Sequence, residues 1–217
     1  MSRDKKLLFA VRLEYFTIAW NVVEAAVAVG AGIYGGSTAL VAFGFDSIIE
    51  TAAAGVLAWR LLSEYRGNAP SEEHVESLEK KASYFVAVTF FMLAGYVLYE
   101  SAEALVSRGA SHPGLVGLVL AAVSTVVMPV LWRAKLKAAS AIGSRAMKAE
   151  AAETVICAYL SVILLAGVSL NYFFGFWWAD PAASLVMLYF IVKEGIEAFN
   201  EARGCGHCCS CGGGHDD

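Results

Sequence analysis

Basic residues are almost missing from the long apolar stretches of this sequence, whereas acidic residues are not. Proline is also scarce, at four in 217 residues, so few positions break a helix. The marks of a membrane-embedded enzyme are missing too. There are no paired histidine ligands, no Ser/His or Cys/His nucleophile arrangement within an apolar run, and no glycine loop suited to phosphate. A non-enzymatic role is therefore expected. No basic patch carries interleaved aromatics, which argues against nucleic acid as a partner. The basic-then-apolar start, MSRDKKLLFAVRLEY, is not followed by a small-residue cleavage site and reads as the first span rather than a removed leader.

What is there is apolar. Hydrophobic residues make up 58% of the chain, more than a soluble domain of this length needs, so the lipid bilayer is the expected surrounding. Six apolar runs fall near 8–33, 38–62, 82–106, 113–135, 147–172 and 178–200, each long enough to cross about 30 Å of hydrocarbon as a helix. The breaks are Gly35-Gly36, the polar stretch 66–81, Arg108–Pro113, Ala138–Arg145 and Asn171–Trp178. They are short, so neighbouring helices should run antiparallel. The expected fold is all-α, a six-helix transmembrane bundle over residues 1–203, followed by a flexible Cys/His-rich tail over 204–217. With both ends on one side, that side gathers fifteen of the sixteen Lys and Arg residues and the other keeps only Arg108. The positive-inside rule then places both termini in the cytoplasm, in a multi-pass protein of the cell (plasma or inner) membrane. Trp177 and Trp178 fall at the outer interface.

Acidic residues within or near the runs are Glu14, Glu24, Asp46, Glu50, Glu100, Glu150, Glu153 and Asp180, against Arg12 as the one basic residue at comparable depth. A carboxylate at a helix centre costs roughly 2.5–3.5 kcal/mol on insertion scales. Internal salt bridges are not expected to neutralise this set, so the acids must be protonated, wetted by a cavity, or held by an incoming cation. Asp46 and Glu50 are four residues apart in FGFDSIIETAA, and so are Glu153 and Cys157 in KAEAAETVICAYL; each pair shares a helix face. Two helices that each present two ligands can close a tetrahedral site of the kind divalent transition metals accept. Cys157 has the bland alternative of a small buried hydrophobe. Asn21, Glu24 and Glu150 stand behind these ligands or carry protons, with helix–helix hydrogen bonding as the alternative for Asn21 and Glu24. Asp180 either handles ions or caps a helix before Pro181. Glu14 reads as an ordinary interfacial charge, and Glu100 and Glu103 as a wetted helix end.

At these residues the chain resembles the cation diffusion facilitator (cation efflux) family. GSTALVAFGFDSIIETAAAGVLAWRL (36–61) resembles that family's second helix, with Asp46 and Glu50 at its ligand positions. SRAMKAEAAETVICAYLSVILLAG (144–167) resembles the fifth, with Glu153 and Cys157 at the ligand positions, and WWADPAASLVMLYFIVKEGIEAF (177–199) the sixth, with Asp180 as its acidic element. The family commonly has His or Asp and then Asp on helix five, so Glu153 and Cys157 depart from it, as does Glu50 on helix two. The family's usual cytoplasmic C-terminal domain is missing after Arg203. The resemblance implies export of a divalent metal cation in exchange for protons, by a homodimer, with metal as substrate and no prosthetic group. Three carboxylates suit hard ions while a thiolate draws zinc, cadmium or cobalt; zinc is favoured, ahead of cobalt, cadmium, iron and manganese. In the tail, Cys205, His207, Cys208, Cys209 and Cys211 lie within seven residues, a density that in a reducing compartment reads as metal binding. A tethered soft-metal trap fits them. The alternative function is a membrane-anchored metal sensor or buffer that acts through this tail.

Overall fold

In the computed structural model, residues 3–67, 72–107, 111–112 and 114–203 are described; the Cys/His-rich tail lies outside them. The described residues form six helices: α1 (Arg3–Gly35), α2 (Thr38–Tyr65), α3 (Glu72–Ser107), α4 (Gly114–Ile142), α5 (Arg145–Phe174) and α6 (Ala179–Ala202). No strand occurs among the described residues. The all-α bundle expected from the apolar runs is what forms. Two breaks are shorter than the composition suggested. The polar stretch 66–81 is helical from Glu72, in keeping with its Glu, Lys and Leu residues, which are good helix formers. The break at Ala138–Arg145 shrinks to Gly143 and Ser144.

Among the described residues, five helices are long and apolar enough to cross a membrane. The sixth expected span, α6, does not qualify, because Asp180, Lys193 and Glu194 interrupt its apolar run. It nevertheless packs against α3, α5 and α2. Large apolar side chains such as Phe16 and Val23 on α1, Phe85 and Met92 on α3, and Val126 on α4 point outward and are exposed. The polar ones Glu14, Asn21, Glu24 and Lys135 are fully buried. That inside-out pattern is what a bundle solvated by hydrocarbon requires.

Two tight hairpins organise the bundle. α1 and α2 are joined through Gly36, whose φ of 63° is left-handed, a conformation glycine adopts without penalty. Ser37 then caps α2, its hydroxyl accepting from the Leu40 amide at 3.2 Å. α4 and α5 are joined in the same manner, with Ser144 capping α5 through the Met147 amide at 3.2 Å. Arg3 donates to Glu64 at 2.7 Å and Lys6 to the Ala141 carbonyl at 3.3 Å, so the start of α1 and the ends of α2 and α4 share one end of the bundle. At the other end the His112 amide donates to the Gly35 carbonyl at 2.7 Å. Asp180 of α6 accepts there from the Ser37 hydroxyl at 2.5 Å and the Thr38 amide at 3.1 Å.

The α1–α2 crossing is so close that two glycines face the partner helix's backbone. A methyl group at Gly44 would lie 2.6 Å from Val29 Cγ2 and 2.9 Å from the Val29 nitrogen, and one at Gly32 would lie 2.8 Å from the Val41 nitrogen. Small residues that let helix backbones touch are a main source of packing energy where the solvent is as apolar as the side chains. Gly44→Ala should therefore force the hairpin apart, at an overpacking cost of about 1–3 kcal/mol. A methyl at Gly55 on the same helix meets nothing within 4 Å. Thermal unfolding of the detergent-solubilised protein is expected to show a lower midpoint for Gly44→Ala and no loss for Gly55→Ala.

Candidate metal and ion-pair centre

Asp46 and Glu50 lie on the inner face of α2, with 8% and 5% of their surface exposed. Cys157 of α5 is 1% exposed, and α5 packs against α2. Three of the four ligands expected from the sequence are thus buried on facing helices. The fourth, Glu153, is on the exposed side of α5. The buried stripe of α5 is Glu150, Thr154, Cys157 and Ser161. At about 100° per residue Glu153 falls roughly 40° from Cys157 on the side away from Thr154. The i, i+4 spacing was sound, but the centre of the buried face lies on the other side of Cys157. Among the described residues, no three His, Cys, Asp or Glu side chains converge in the geometry of a metal site.

Two turns along α5 from Cys157, a second polar cluster surrounds a buried lysine. Lys135 of α4 has no exposed surface. Its ammonium nitrogen is 2.5 Å from Glu150 Oε1, 3.7 Å from Glu50 Oε1 and 3.9 Å from Glu14 Oε2, and it donates to the Thr154 hydroxyl at 2.9 Å. Thr154 in turn donates to Glu50 Oε1 at 2.7 Å. Three carboxylates from three helices therefore share one cation. This overturns two expectations. An internal salt bridge does neutralise part of the acidic set, and Glu14 is a wholly buried partner in it rather than an interfacial charge. Both oxygens of Glu14, Oε2 of Glu50 and Oε2 of Glu150 receive no hydrogen bond from any described donor. Unmatched acceptors at this depth are costly and rare in finished cores.

The remaining polar residues divide clearly. Glu24 accepts from Ser47 of α2 at 2.9 Å and from Ser124 of α4, which ties three helices together in the way polar residues commonly do in membrane bundles. Asp180 supports the α2 cap described above rather than facing the cluster. Asn21 is fully buried, and neither polar atom of its carboxamide has a hydrogen-bond partner. It lies seven residues along α1 from Glu14, about 10 Å of helix, the same rise that separates Cys157 from Glu150. Glu194 of α6 is half-buried and is not singled out by the sequence, because its position in a charged helix end gives no signal.

Thr154 holds Lys135 and Glu50 in register, so Thr154→Val, which keeps the shape and removes the hydroxyl, should cost about 1–3 kcal/mol for the buried groups left unpaired. Thermal unfolding in detergent should show a lower midpoint for Thr154→Val and near wild-type behaviour for Thr154→Ser.

None of the curated proteins matches the chain. The family model for the cation efflux transmembrane domain matches residues 15–203, a stretch that contains every buried acid described here except Glu14. The bundle, its intramembrane carboxylates and that match agree: the chain belongs to the cation efflux family, whose members move metal cations across membranes.

Proposed function

We propose that this protein is a secondary transporter that exports a divalent transition-metal cation, zinc ahead of cobalt, cadmium, iron and manganese, in exchange for protons. The observation that carries the reading is the burial of Asp46 and Glu50, one turn apart on α2, and of Cys157 on α5, which packs against α2. A thiolate and two carboxylates suit a borderline divalent ion. Ligands that must give up protons to bind metal couple the two fluxes directly. Asn21, with its unpartnered carboxamide at a similar height on α1, is a further oxygen donor to a cation or its water. Glu153 joins as a fourth ligand when α5 turns about its axis by the roughly 40° that separates it from Cys157.

The basic residues support both termini being cytoplasmic, although Lys135, buried at the centre, leaves that tally. A homodimer in the plasma or inner membrane and delivery of metal by Cys205, His207, Cys208, Cys209 and Cys211 belong to the same proposal. With the tail outside the described residues, no observation favours the sensor or buffer reading over transport.

Purified protein in proteoliposomes under an imposed pH gradient should move at least one of zinc, cobalt, cadmium, manganese or iron. Asp46→Ala should reduce that flux by a factor of ten or more, taking one lost ligand as at least ~1.4 kcal/mol. Unchanged flux in Asp46→Ala would sink the assignment.

A further inference from the structure

Lys135 and Glu14 have no place in the metal site just proposed, yet neither has any exposed surface, and Glu50 belongs to both groups. An ammonium has three hydrogens. Glu150 and Thr154 take two at hydrogen-bonding distance, and Glu50 and Glu14 wait at 3.7 and 3.9 Å, within ion-pair range but beyond a hydrogen bond. The lysine is thus held firmly by α5 and loosely by Glu50 of α2 and Glu14 of α1. Glu50 also has an oxygen that no donor reaches, and Glu14 has two.

We propose that the Lys135 ammonium is a tethered competitor of the transported cation. With no metal bound it serves as counter-ion to Glu50; when a divalent cation arrives between Asp46, Glu50 and Cys157, the ammonium gives up Glu50 and is retained by Glu150 and Glu14. The inference rests on the metal-site reading above and adds to it a built-in cation that stabilises the empty site and speeds release of the cargo. Two cations cannot share one carboxylate at this depth without strong mutual repulsion, since little solvent is present to screen them. Glu14 is a positioning residue in this scheme: it touches no metal and acts by giving the displaced ammonium a second carboxylate. Its empty lone pairs and its distance from the nitrogen are what such a receiving group needs. The lysine remains charged throughout, so the exchange needs no proton to enter or leave it.

The test is cobalt(II) binding to the full-length protein in detergent, by equilibrium dialysis, counting only the binding that Asp46→Ala removes so that the cysteine tail does not contribute. Removing the competitor with Lys135→Met should tighten that binding by about tenfold, within the usual range of coupling between sites. Lys135→Met paired with Glu150→Met deletes one charge of each sign and replaces a buried ion pair by apolar groups of similar size, a change proteins often tolerate. It should tighten binding as well, whereas a simple field effect would leave it unchanged. Glu14→Gln should weaken binding by about threefold or more in the wild type and have little effect once Lys135 is gone, the non-additivity expected of groups that act through one another. Binding that Asp46→Ala does not reduce overturns the metal site and this inference with it. Loss in Asp46→Ala without tightening in the charge-neutral pair, or an equal Glu14→Gln effect in both backgrounds, overturns the tethered cation and leaves the metal site standing.

Discussion

A lysine with no exposed surface, enclosed by carboxylates from α1, α2 and α5, is the constraint to which the rest of the bundle is fitted. Removing an ammonium from water costs several kcal/mol even after relaxation, and only close, well-directed partners offset it. Glu150 and Thr154 provide that closeness. Three acids against one base leave the cluster with more acidic groups than it can pair, and further buried acids, Asp46 and Glu24, follow along the bundle. Hydrocarbon outside and charge inside place heavy demands on the helices. They must pack closely enough to exclude lipid, which the glycines of the α1–α2 crossing make possible, and their ends must be pinned, which the Ser37–Asp180 contact does at one end and Arg3–Glu64 at the other.

The site joins two kinds of buried polar residue. Glu24, with its two serine donors, is satisfied and rigid, and its contribution is architectural. Glu50, Glu150, Glu14 and Asn21 are buried without being fully satisfied, and natural interiors tolerate such groups mainly where a ligand, water or ion completes them. Pro129 lies on α4 between Ser124 and Lys135. It cannot donate a backbone hydrogen bond, so the helix is weakest between its architectural level and its ionic one.

Much of this was legible in the sequence. Apolar length showed six helices, and the i, i+4 pair Asp46/Glu50 marked the inner face of α2 because no lipid-facing role suits two carboxylates. The apolar run alone places Lys135 at a water-facing end, because the run stops there and a lysine at the end of an apolar run normally reaches water. The helix instead continues for seven more residues to Ile142, about 10 Å beyond the lysine. Its spacing from Ser124, Met128 and Leu131 by threes and fours put it on the buried stripe, a signal available without coordinates. Glu153 and Glu150 were harder to separate. Both flank Cys157 at helical spacing, and only the position of α4, which no local pattern encodes, decides which of them turns inward.

The glycine contacts between α1 and α2 have a mechanical meaning. Backbones that touch cannot slide past one another without a clash, so the first hairpin carries Glu14, Asp46 and Glu50 as one rigid plate. Lys135, Glu150, Thr154 and Cys157 ride on the other hairpin, α4–α5. The boundary between the plates runs through the ions themselves, and any rocking of one against the other is a rearrangement of charges before it is a movement of helices.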